Sequence, residues 1–237
     1  MSNIVLLMAK ISPNVPDGWE VESFVVAKLL SKDSKVLFIY NEDYERIKKI
    51  QEVLHIQPYI LNDNYEELEK ARKFGFDVIS GNVNGGALEE YEDKEFDYVV
   101  CEDELHSARY PNDFLRECVR VCHNLVLCNK NKAYWKKRIK FFFRGSLYVE
   151  NQYDVYPDDE YAWFNKYPWH LAHKDIVNLC ACNDFLIKSG IIIYGNGKID
   201  NIFDIRSYPN WSAKKVYYLI SDENSTENNI PLKVATI

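Results

Sequence analysis

The chain has 237 residues, 47% of them hydrophobic, with 17 tyrosines and a net charge of −7. A chain so rich in aromatics is not disordered, and its length suffices to bury a substantial core. The acidic balance argues against recognition of nucleic acid through overall charge, and no apolar run approaches the roughly 20 residues of a membrane span.

Ile4 to Met8 is a short apolar stretch without a basic flank, so no secretory signal is expected. None of the six cysteines (Cys101, Cys118, Cys122, Cys128, Cys180 and Cys182) forms a Cys-x-x-Cys pair, and most sit in apolar runs. They read as buried free thiols of a cytoplasmic protein. His170 and His173 near Cys180 come closest to a zinc set, but the spacing does not make one, and no metal is expected.

In chain order, Val21 to Leu30 has helical rhythm, and Lys35 to Tyr40 is a β-branched and aromatic run of strand length. Asp43 to Leu54 returns to helical spacing, with Ile47, Ile50 and Leu54 on one face. Tyr59 to Leu61 predicts a strand, Tyr65 to Phe74 a helix stopped at Gly75, and Asp77 to Ile79 a third strand. Phe96 to Cys101 is the clearest strand, and Pro111 suits the first turn of a helix running to Val121. Leu125 to Cys128 is the next strand. Lys132 to Arg144 and His173 to Lys188 predict helices, the second stopped by Gly190. Ile191 to Tyr194 and Val216 to Ile220 follow with no helix-length segment between them, which predicts a hairpin. The tail from Ser221 to Asn229 is polar and expected to fray. Alternating strands and helices imply a single α/β domain over residues 1–237: a mostly parallel sheet covered on both faces, with an antiparallel C-terminal strand pair at its edge. Residues 145–171, rich in Tyr, Trp, Pro and Asp, read as a long aromatic insertion.

Four segments carry a family resemblance. Phe96-Asp97-Tyr98-Val99-Val100 is similar to a strand "FDYVI". The run from Arg109 to Glu117 is similar to "RRPDEVLREM", and that from Trp135 to Gly145 to "WRVRLQLLLRG". Tyr167 to Leu171, followed by Asp175, is similar to "PNIHLCTIRDF". In this order and spacing, from about Lys35 to Ile193, the chain resembles the MetW family of class I methyltransferase-like proteins, which implies a Rossmann-like fold and a site for S-adenosylmethionine (SAM). Members are associated with a homoserine acyltransferase, and several methyltransferase systems pair an active with an inactive chain, so the resemblance also implies a protein partner.

The cofactor positions depart from the family pattern. Where the family has "VLDLGCGDG", Phe38 stands at the Asp and Tyr40, Glu42 and Tyr44 stand at the three glycines. A glycine turn admits backbone conformations and a close approach that a β-carbon forbids. Leu61 falls at the ribose-binding acid, with Asp63 two residues on, and Gly81-Asn82-Val83 replaces "GDL". A leucine there would leave buried ribose hydroxyls unpaired, at about 1–3 kcal/mol each. SAM binding in the usual mode is therefore not expected. If SAM binds, Asn41, Asp63 and Asn82 are the residues to hold it. Gly85-Gly86 reads as a turn.

Glu102, Asp103 and Glu104 with His106 follow the fourth strand, where catalytic groups of this fold often sit. Glu102, His106 and His170 are the weak catalytic candidates, against a plain solvated loop. Lys130, Lys132, Lys136, Lys137, Arg138, Lys140 and Arg144, with Trp135 and Phe141 to Phe143, form a basic amphipathic segment without an acid. Such a helix suits an acidic partner, an anionic ligand or a membrane surface, or else covers the sheet with its apolar face. Trp135, Arg138, Trp163 and Phe164 are the candidate partner-binding residues. The expected function is a degenerate methyltransferase-like protein without cofactor, serving as a binding or regulatory subunit. The alternatives are an active SAM-dependent enzyme with a divergent loop that also uses Glu102, and a pocket in which Tyr40 and Tyr44 stack on another small molecule.

Overall fold

In the computed structural model, which describes residues 15–102, 104–106, 108–144, 171–201 and 209–222, the short apolar runs become the strands of one sheet. The elements are α1 (Val21–Leu29), β1 (Lys35–Ile39), α2 (Tyr44–Leu54), β2 (Gln57–Asn62), α3 (Tyr65–Lys73), β3 (Asp77–Ser80), β4 (Phe96–Glu102), α4 (Pro111–Arg120), β5 (Cys122–Lys130), α5 (Trp135–Arg144), α6 (His173–Cys182), β6 (Phe185–Tyr194), β7 (Ile199–Asn201), α7 (Pro209–Ser212) and β8 (Ala213–Asp222). The strand order is β3-β2-β1-β4-β5-β8-β6-β7. The first five strands are mutually parallel, while β8 runs antiparallel between β5 and β6. The expected antiparallel pair is β6 with β8, but β8 is interior, and the short β7 forms the edge beyond β6.

Continuous apolar runs suit strands buried on both faces. Leu37, Ile39, Leu61, Val99, Leu127 and Tyr218 face a core completed by Phe114 and Leu115 of α4 and Ile176 of α6. The alternate residues Val36, Phe38, Ile60, Val100, Val126 and Tyr217 face Val25 and Val26 of α1 and Ile47 and Ile50 of α2. Local signals start and stop the helices. The Asp43 side chain accepts from Arg46 N at the head of α2, and Asn64 does the same from Glu66 N at α3. Pro111 opens α4.

Two expectations are corrected. The helix predicted over His173 to Lys188 ends at Cys182, because Asp184 adopts a left-handed backbone (φ 57°) and turns the chain. Phe185 to Lys188 then belongs to β6, which reaches through Gly190 and carries a bulge between Ile187 and Ser189. The helix predicted from Lys132 begins at Trp135, and its apolar side does not cover the sheet: Ile139 and Phe141 to Phe143 are all exposed. The insertion, apart from Leu171, and the tail beyond Asp222 lie outside the described residues.

Candidate functional site

In an open α/β sheet, ligands sit outside the carboxyl ends of the parallel strands. At the end of β1 the chain enters Tyr40 with φ 49°, so the left-handed conformation of a glycine turn is kept, but by a tyrosine. Its N–H donates to Leu61 O of β2 (2.8 Å), and its hydroxyl lies 3.5 Å from Gly81 O beyond β3. The ring thus spans the ends of all three strands and packs against the core face that holds Ile39 and Leu61. Burial, together with the nearby carboxylates of Asp63 and Glu104, pushes the Tyr40 hydroxyl well above its ordinary pKa.

Beside it, Asn82 Nδ2 donates to Asp63 Oδ2 (3.1 Å), and Asn82 Oδ1 accepts from Asn84 N (2.9 Å) to start a tight turn. Gly81 permits this turn: at φ 147° an added Cβ would lie 2.7 Å from Ala87 Cβ. Gly86 closes the turn in the left-handed region (φ 83°). Leu61 is fully buried. Tyr44 points elsewhere: its ring is buried near Phe74 and Phe76, and its hydroxyl donates to Glu67 O (3.1 Å). Tyr40 and Tyr44 therefore belong to opposite faces of the sheet. Glu42 is exposed.

Asn41 is separated from the Asp63–Asn82 pair by its hydrogen bonding. Its Nδ2 donates to Glu102 Oε2 (2.9 Å), and its Oδ1 accepts from Asp43 N (3.0 Å). Glu102, at the end of β4, also receives both terminal nitrogens of Arg46, at 2.7 and 2.9 Å, and the Tyr217 hydroxyl at 2.7 Å. Both side chains of the ion pair are largely buried, with 9% of Arg46 and 15% of Glu102 exposed. Burial lowers the Arg46 pKa, but the Glu102 carboxylate outweighs it and the net direction is upward. The network continues through Tyr217 to Glu22 (3.5 Å), which pairs with Lys215 (2.6 Å).

His106 lies in a tight turn after β4 and is buried, and Cys101 Sγ donates to Glu104 Oε2 nearby (3.3 Å). Asp103, His170, Trp163 and Phe164 lie outside the described residues. Trp135 is half-buried against Tyr134, and Arg138 lies over the Trp211 ring at 5.2 Å. Among the described residues no group of three or more His, Cys, Asp or Glu could hold a metal ion, and no helix is long and apolar enough to cross a membrane. The six cysteines are free, and all but Cys182 are buried.

Arg46, Tyr217, Lys214 and Lys215 were not anticipated from the sequence. The doublet Lys214-Lys215 at the head of a late strand was the visible signal, and Arg46 had none beyond its helical face.

The sheet order, with its reversed strand between β5 and β6, defines the class I methyltransferase fold. Solved structures agree, at identities that speak for the fold alone. A SAM-dependent methyltransferase from Thermotoga maritima is 13% identical over 86% of this chain and 87% of its own, with a TM-score of 0.56. One from Aquifex aeolicus is 14% identical over 85% and 89%, TM-score 0.51. A chain of the Haloferax volcanii complex between the Trm112 methyltransferase activator and a methyltransferase is 10% identical over 81% and 84%, TM-score 0.53. No curated protein matches significantly. The chain belongs to the MetW family: the family model described as methionine biosynthesis protein MetW matches residues 21–220.

Proposed function

We propose that this chain is a methyltransferase-like protein that has given up SAM and serves as a non-catalytic binding or regulatory subunit of an enzyme partner. The observation that carries this is Tyr40, whose ring lies across the ends of β1, β2 and β3, where the fold class receives its cofactor. Asp63 and Asn82 satisfy each other, and Leu61 offers no acceptor to a ribose. Glu102, the acid best placed for proton transfer, is held by Arg46, Asn41 and Tyr217. The residues present do not fit SAM in its usual mode, so no step is routed through it.

The partner surface we assign is the stripe of α5 at i, i+3, i+4 and i+7: Trp135, Arg138, Ile139 and Phe142. Phe142 is 80% exposed, which is costly for a side chain with no second surface to meet. The Haloferax complex supports this by analogy, since it joins an activator to a chain of this fold. The competing reading, an active SAM-dependent methyltransferase with a divergent loop, draws on the position of Asp63 and Asn82 at the strand ends.

Isothermal titration with SAM and S-adenosylhomocysteine separates the two. No heat up to millimolar ligand is expected. Micromolar binding, weakened by Asn82→Ala, would overturn the non-catalytic reading.

A further inference from the structure

Tyr40, Glu42 and Tyr44 stand where the family motif has its three glycines, but the fold gives them unequal consequences. Glu42 is exposed, and a carboxylate on a flexible stem in water does not plug a slot. Tyr44 has turned to the opposite face, where its ring packs near Phe74 and Phe76 and its hydroxyl donates to Glu67 O. Tyr40 alone of the three lies across the ends of β1, β2 and β3, packed against the core face of Ile39 and Leu61.

The turn beneath that ring does not depend on it. The Tyr40 backbone sits at φ 49°, a region that glycine enters freely and a tyrosine enters at a cost. Its N–H donates to Leu61 O at 2.8 Å, a bond that any residue but proline could make. The next residues close the turn by themselves: Asn41 Oδ1 accepts from Asp43 N (3.0 Å), and Asp43 Oδ1 accepts from Arg46 N (3.1 Å) at the head of α2. The Tyr40 hydroxyl, by contrast, meets Gly81 O only at the long limit of a hydrogen bond, 3.5 Å. The side chain is therefore held by packing, over a backbone that already follows the course of a glycine turn.

We infer that Tyr40 is a built-in plug: its ring occupies the place of a ligand, and its removal alone reopens a nucleoside site at the ends of β1 to β3. The inference rests on the reading that the native chain does not bind SAM. The slot that the ring leaves is flat, has an apolar back, and carries acceptors at its rim in Gly81 O and the Asp63 carboxylate. A planar base with N–H donors suits such a slot, and the vicinal hydroxyls of a ribose suit a carboxylate. The Asp63–Asn82 hydrogen bond lies at the surface, so exchanging it for bonds to a ligand loses little. Leu61 still offers no acceptor, which limits the reopened site to modest affinity.

The test is calorimetric titration of full-length Tyr40→Gly with S-adenosylhomocysteine and adenosine, beside the native chain. Tyr40→Gly is expected to bind S-adenosylhomocysteine at least about tenfold more tightly than the native chain does, with a submillimolar Kd. Tyr40→Asn, a small residue that also tolerates the left-handed backbone, should gain binding in the same direction. Tyr40→Phe keeps the ring and Glu42→Gly leaves it in place, so neither should gain. Circular dichroism establishes that each variant is folded. Silence of folded Tyr40→Gly and Tyr40→Asn at millimolar ligand would overturn the plug and leave the non-catalytic reading intact. Unfolding of both would overturn it too, because the ring would then be a structural element. An equal gain in Tyr40→Phe or Glu42→Gly would place the obstruction elsewhere, and micromolar binding by the native chain would refute both readings.

Discussion

Replacing Glu102 by Gln distinguishes a structural carboxylate from a catalytic one. The amide keeps the shape and can still accept from the Tyr217 hydroxyl, but it removes the charge that faces Arg46. The guanidinium is 9% exposed, and its Nε already has no hydrogen-bond partner, so the variant leaves a buried cation opposite a group that can accept only one of its two bonds. Breaking a buried pair by removing one partner costs about 3–5 kcal/mol, because the remaining charge stays desolvated. Glu102 retains some exposure, and the amide keeps one acceptor, so the low end, about 3 kcal/mol, is expected. Urea unfolding followed by circular dichroism measures this directly. Arg46→Met in the Glu102→Gln background should restore part of the loss, since it removes the stranded charge. A loss under about 1 kcal/mol for Glu102→Gln, or a double variant less stable than both singles, would refute the reasoning.

Asn131→Ala should cost about 2–3 kcal/mol in the same assay, because the buried backbone groups it satisfies on three segments lose their partner. His173, stacked on Tyr218 with Nδ1 2.7 Å from its hydroxyl, has its pKa pushed down to about 4 by burial. The unfolded chain, with an ordinary value near 6.5, therefore binds more protons between these limits. Stability should fall as pH drops from 6.5 towards 4, by about 3 kcal/mol for this group, and the slope should flatten in His173→Gln.

The short apolar runs, the helical spacing and the boundary residues Gly75 and Pro111 made most of the parallel half legible, because those signals are local. The C-terminal half was harder for a physical reason. Phe185 to Lys188 is apolar in a way that fits helix or strand, and the choice falls to pairing with Ile220 to Asp222, which no local pattern reveals. The loss of the glycine turn could be read from Tyr40, Glu42 and Tyr44, but not that Tyr40 would keep the left-handed backbone or that Tyr44 would turn to the opposite face. Glu102 stood out as an acid after β4. Its partners Arg46 and Tyr217 lie 56 and 115 residues away in sequence, so its engagement became visible only in three dimensions. The same holds for the lysines: those near α5 were evident, while Lys214 and Lys215 join them only because β8 inserts beside β5.

A ligand at the carboxyl ends of β1 to β3 would meet side chains that are already engaged. To enter at β1 to β3, a nucleoside would have to displace the Tyr40 ring, separate Asp63 from Asn82, and place its ribose against Leu61. The first two steps each forfeit about 1 kcal/mol or more of contacts already made, and the third leaves donors unpaired at about 1–3 kcal/mol apiece.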